Sequence, residues 1–137
     1  MDSDKPINNQ QRLSHLRSSL MKLHKYLLEA ERARYETTNG PIKNRGEFFQ
    51  LVVSHSDFDW LRPISKFIVQ IDELTSAKNP PADPEESAAI LLEKGRLMMR
   101  PDENASTPLA ANYFRAIQSD PAVALMNAEL NSIFRKS

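Results

Sequence analysis

Apolar residues in the first third of the chain recur at alternating intervals of three and four: Leu13, Leu16, Leu20, Leu23, Leu27 and Ala30, with Arg34 continuing the series. That spacing is the stripe of an amphipathic helix and predicts one long helix from about Asn9 to Thr38. Asn39-Gly40-Pro41 ends it, because glycine accepts a left-handed C-terminal cap and proline cannot resume the helix. A shorter helix is predicted over "GEFFQLVVSHS", with Phe48, Phe49, Val52 and Val53 on one face, although a β-branched and aromatic run of this length also suits a strand. The next stripe is formed by Trp60, Ile64, Phe67, Ile68, Ile71, Leu74 and Thr75. Asp57 or Asp59 serves as its N-cap, which puts Pro63 in or just after the first turn, where a missing N–H costs little.

The second half repeats one device. In "NPPADPEES" Asp83 is an N-cap, Pro84 the first helical residue and Glu86 the third, the pattern of a capping box. The helix that follows carries Ala88, Leu91, Leu92, Gly95, Met98 and Met99 as its stripe, and Gly95 there suggests close approach of another backbone or a merely tolerated glycine. Thr107-Pro108 and Asp120-Pro121 open two further helices, with Leu109, Tyr113, Phe114 and Ile117 and then Val123, Met126, Leu130 and Ile133 facing inward. The fold class expected is therefore all-α: a helical bundle of five or six helices with a long N-terminal helix. It is read as a single helical domain over residues 1–137, with residues 1–8 disordered.

Composition narrows the function. The 137 residues suffice to bury roughly two thirds of the unfolded surface without staples. Lys plus Arg and Asp plus Glu number 18 each, a balance that argues against a dedicated nucleic-acid binder or membrane-surface protein. The first helix is basic, through Arg12, Arg17, Lys22, Lys25, Arg32 and Arg34, but these residues scatter around it instead of forming one phosphate-facing stripe. Cysteine is absent, which removes disulfides, thiol catalysis and thiolate metal sites together. The start "MDSDKPINNQQ" lacks the features of a secretory signal, and no stretch approaches the roughly 18 to 20 apolar residues of a membrane span. A cytoplasmic protein is expected.

Glycine-rich phosphate loops, GxSxG elbows, HExxH and EF-hand motifs do not occur. A di-iron carboxylate bundle needs Glu-x-x-His on two helices, and Glu29, Glu31, Glu47, Glu73, Glu86, Glu93 and Glu129 all lack a histidine three residues on. No catalytic set, cofactor or metal site is expected.

One break in pattern remains. With Leu20 at the centre of the first stripe, Glu31 falls about 20° away, His24 and Arg34 about 40° and Tyr35 about 60°. "LHKYLLEAERARYE" thus places polar side chains where leucine is due, and an unpaired buried Glu31 would cost several kcal/mol. Either the helix projects from the core and Glu31 and Arg34 are solvated or form a structural ion pair, or the region is a polar pocket. In the pocket reading Glu31 and Tyr35 face Trp60 and Arg62, with His24 one or two turns deeper and Asp72 at the edge of its own stripe. The ligand-binding candidates are His24, Glu31, Arg34, Tyr35, Trp60, Arg62 and Asp72.

The segments "LHKYLLEAERARYE", "FDWLRPISKFIVQIDE" and "LMMRPDE" resemble a family of small, uncharacterised bacterial cytosolic proteins. That resemblance implies an all-helical bacterial protein and brings no activity, cofactor or site residue. The leading functional expectation is a non-catalytic bundle acting by protein–protein interaction, either self-associating as a homodimer or binding another protein. The alternative is a small-molecule protein or enzyme that takes an anionic ligand around Glu31 and Arg62.

Overall fold

The computed structural model describes residues 7–76, 78 and 80–135. Among these the chain forms α1 (Asn9–Asn39), α2 (Arg45–Ser54), a 3₁₀ turn (Ser56–Leu61), α3 (Arg62–Thr75), α4 (Pro84–Met98), α5 (Pro108–Ser119) and α6 (Pro121–Arg135). The all-α bundle with a long first helix is the architecture found. Of the segment 1–8 expected to be disordered, residues 1–6 lie outside the described residues, whereas Asn8 is the ordered N-cap of α1.

α1 is the axis. It is 31 residues long, about 45 Å at 1.5 Å per residue, and α3, α4 and α6 pack around it. Leu13, Leu16, Leu20, Leu23 and Leu27 are fully buried against them. Its start is tied down from two other helices. Asn8 and Gln11 form a reciprocal capping box, and the Glu85 carboxylate from α4 accepts the next two N–H groups, of Asn9 at 2.9 Å and Gln10 at 3.1 Å. Those bonds hold Glu85 below the usual carboxylate range. Arg12, itself buried, donates to the Ile133 and Phe134 carbonyls at 2.9 and 3.2 Å, satisfying the end of α6.

Gly95 lies where α4 crosses α1 and α3. A Cβ there would meet the Phe67 ring at 3.0 Å and the Leu16 side chain at 3.2 Å, so the close approach is by side chains and not by another backbone. At the other end of α1 the helix stops at Gly40 as expected, its N–H reaching the Glu36 carbonyl at 3.0 Å; φ is +82°, which favours glycine, but ψ is 172°, so the cap is extended and not the left-handed αL form.

Two sequence expectations are corrected. The segment before Pro63 is not the first turn of an α-helix capped by Asp57 or Asp59; it is the 3₁₀ turn, capped by His55, whose Nδ1 accepts the Asp57 N–H at 3.1 Å. An α-helix running through 59–63 would drive the Pro63 ring into the Asp59 carbonyl, so the chain tightens before the proline and α3 begins only at Arg62. The tighter winding turns Phe58, Trp60 and Leu61 into the core. Second, α2 buries none of its residues. Phe48 meets Phe58 edge to face at 5.9 Å, but Phe49 is 64% and Val53 52% exposed, so the four residues assigned to one face divide between two.

Candidate functional site

Beyond Leu27 the stripe of α1 continues with Glu31, and here the packing partners change. α3, α4 and α6 give way to the 3₁₀ turn, and α5 sits against that turn and α6. The three elements enclose a cleft of about 710 Å³. Glu31, Arg34, Tyr35, Thr38 and Asn39 come from α1, Ser56, Asp57, Asp59, Trp60 and Pro63 from the turn and the start of α3, and Thr107, Pro108, Leu109, Asn112 and Arg115 from the α5 end.

Glu31 is 4% exposed and carries the arrangement. The Trp60 indole N–H donates to its Oε1 at 2.7 Å, a short charge-assisted hydrogen bond, and Trp60 is itself buried. Arg34 reaches both carboxylate oxygens, but through Nη1 alone and at 3.3 and 3.4 Å. Arg115 Nη2 stands 3.8 Å from Oε1. Burial and the neighbouring Arg34 charge lower the Arg115 pKa, with Glu31 pulling it back up. Of the projecting-helix account, the solvated Glu31 is corrected, whereas its Glu31–Arg34 ion pair is present. The carboxylate is enclosed and partnered, because the tight turn before Pro63 brings Trp60 over it.

An aromatic group stands behind the cleft. Tyr35 packs edge to face on His55 at 5.3 Å and lies 6.3 Å from Phe58. Asp59 is paired with Arg62 at 3.1 Å. Asp57 lies 3.7 Å from His55 Nδ1, which accepts the Asp57 backbone N–H.

Of the sequence candidates, Glu31, Arg34, Tyr35 and Trp60 share the cleft, and His24, Arg62 and Asp72 do not line it. His24 lies on the α1–α3 seam, where Nε2 is 3.0 Å from Ser65 Oγ and burial depresses its pKa. Arg62 donates to the Val53 carbonyl at the end of α2 and pairs with Asp59, so the expectation that it faces Glu31 fails. The cause is the change to 3₁₀ winding, which rotates Arg62 relative to Trp60. Asp72 pairs with Arg17 of α1, about 15 Å along α3 from Arg62.

The sequence reading missed Arg115, Asn112 and Thr107. Thr107, which caps α5, Asn112 and Arg115 gave a partial signal, since Asn112 and Arg115 are three apart and flank the apolar stripe of α5. Nothing in the sequence said which helix they would face.

Among the described residues no three His, Cys, Asp or Glu side chains are gathered closely enough to hold a metal ion, and no helix is long and apolar enough to cross a membrane. Comparison with family models, with curated proteins and with solved structures returns no match for this chain.

Proposed function

We propose that the chain binds a small organic molecule in the cleft between the end of α1, the 3₁₀ turn and α5. The observation that carries this reading is the enclosed Glu31 carboxylate, held by Trp60 and shared loosely by two arginines at the base of an open space of about 710 Å³. Such a volume lies within the range of small-molecule sites, and apolar walls with a few convergent charges are their usual lining. The residues support binding more than catalysis. Glu31 is engaged by an indole N–H, and among the described residues no hydroxyl of the cleft is hydrogen-bonded to a carboxylate or an imidazole.

Self-association remains a second reading, and a specific feature favours it. α2 buries no residue and presents Phe49 and Val53, one turn apart, to solvent. The long apolar stripe of α1, by contrast, is covered by helices of the same chain.

Native mass spectrometry of the protein purified gently from its host, repeated under denaturing conditions, separates the two. Release of a ligand-sized mass is expected. A multiple of the chain mass with nothing small released would overturn the ligand reading in favour of self-association.

A further inference from the structure

We infer that the cleft takes a monocarboxylate with a flat apolar body, its carboxylate held between Arg34 and Arg115 and its body against Pro63, Pro108 and Leu109. This rests on the reading of the cleft as a ligand site, and it is the charge arrangement that specifies the class. Glu31 neutralises only one of the two guanidiniums, which leaves one positive charge at the base of the cleft. Neither arginine is used up. Arg34 meets Glu31 through one nitrogen at long range, and among the described residues the Arg115 guanidinium makes no hydrogen bond, only the 3.8 Å ion contact. Each guanidinium offers five N–H donors in a planar fork that suits a carboxylate.

The rim limits the charge of the guest. Asp59 is neutralised by Arg62, but Asp57 stands beside an imidazole nitrogen that is already an acceptor. A second or third negative charge on the ligand would therefore meet Asp57 without gaining a further cation. With Asp57 counted the lining as a whole is neutral, so the one positive charge is local to Arg34 and Arg115; a singly charged carboxylate matches it there and a polyphosphate overshoots it. Pro63, Pro108 and Leu109 give the body of the guest an apolar contact surface within an otherwise polar lining.

The chain's one tryptophan is Trp60, so its indole N–H resonance and its fluorescence both report on this cleft. The probes are phenylacetate and naphthoate, their neutral primary carboxamides, and inorganic phosphate, titrated into the wild type, Arg115→Gln and Arg34→Gln. The expected result is that the carboxylates shift the Trp60 signals and bind about ten- to a hundredfold tighter than the matched amides. Each arginine substitution should cut that preference to within about threefold, since one charged partner is gone. Arg115 is exposed, so its variant folds even if the Arg34 variant does not.

Amides that bind as well as the carboxylates would overturn the charge assignment and leave the cleft a ligand site. Phosphate that binds as tightly as the carboxylates would overturn the choice of a carboxylate with an apolar body. If no probe of either charge moves the Trp60 signals, the ligand reading falls with the inference.

Discussion

Leu13 through Leu27 and the turn that follows them lie on one stripe of one helix, yet the two parts are built to different ends. The five leucines are fully enclosed by α3, α4 and α6, and that half of α1 is a dry seam. One turn further, Glu31 is also buried, though not completely, and is ringed by an indole N–H and two guanidiniums beside an open cleft. The period of the helix is unchanged between them. What changes is the covering element: three regular helices over the leucines, and a proline-tightened turn with the side of α5 over the glutamate. Burial in the first half stabilises the fold outright. In the second half it is neutral at best until the carboxylate is partnered, so the geometry around Glu31 is more tightly specified than that around any one leucine.

The sharpest break of this contrast is a cavity in the dry half. Leu20→Ala should destabilise the protein by about 2–5 kcal/mol, since it removes buried methyl groups from a site walled by rigid helices. Urea unfolding followed by circular dichroism measures it. The Trp60 emission of the folded variant should be unchanged, because the cavity lies three turns from Glu31 along α1. A shift in Trp60 emission would mean that the two halves are coupled.

In the polar half the comparison turns on which atom is lost. Glu31→Ala leaves the Trp60 N–H without its acceptor and two arginines without their anion, and should cost about 1–3 kcal/mol. Glu31→Gln keeps an acceptor for the indole and should cost less than about 1 kcal/mol. Equal losses in the two variants would show that the charge, and not the hydrogen bond to Trp60, holds the turn in place.

The leucine half was legible from sequence because a helical period names a buried face without needing to know what covers it. The stripe of α6, with Val123, Met126, Leu130 and Ile133, was equally plain, and all four residues are buried. Glu31 stood out by the same logic, as a polar residue on that face. Its partners were only partly accessible. Helical periodicity points to Trp60, but it points to Arg62 as well, because a continuous α-helix would carry both where Pro63 in fact imposes a tighter turn. Arg115 is 84 residues from Glu31, and its place depends on how α5 docks, which local periodicity does not encode. Asp72 and His24 sit on real seams between α1 and α3, yet what they contact there is Arg17 and Ser65.

Gly95 sharpens the dry half from its outer side. Gly95→Ala gains up to about 1 kcal/mol in helix propensity, but the added methyl meets Phe67 and Leu16 at 3.0–3.2 Å, and overpacking of that kind costs about 1–3 kcal/mol. A net loss of about 1 kcal/mol is expected in the same urea assay. A gain would mean that the Phe67 ring yields, and that the α1–α3–α4 crossing is looser than its leucines suggest.

His24 lies at the edge of the dry half, on the α1–α3 seam, and gives the smallest effect, one that pH can isolate. Burial lowers its pKa from 6.5, so the folded chain binds this proton less readily than the unfolded chain does. Above 6.5 both states are neutral here and the residue adds no pH dependence. As the pH falls from 6.5 toward the depressed folded value, the unfolded state takes up the proton first and stability declines. Glu85 and Asp72 have depressed pKa values, so their contributions are present above their ordinary values of 4.5 and 3.8 and are lost only as the pH falls through the lower folded values. The windows therefore separate: His24 acts just below 6.5, the carboxylates below 4.5. Urea midpoints at about pH 7.5 and pH 5.5 should differ in the wild type, and His24→Gln should reduce the difference. An undiminished difference would mean that His24 is not its source and that the α1–α3 seam around it is open enough to hydrate a charge.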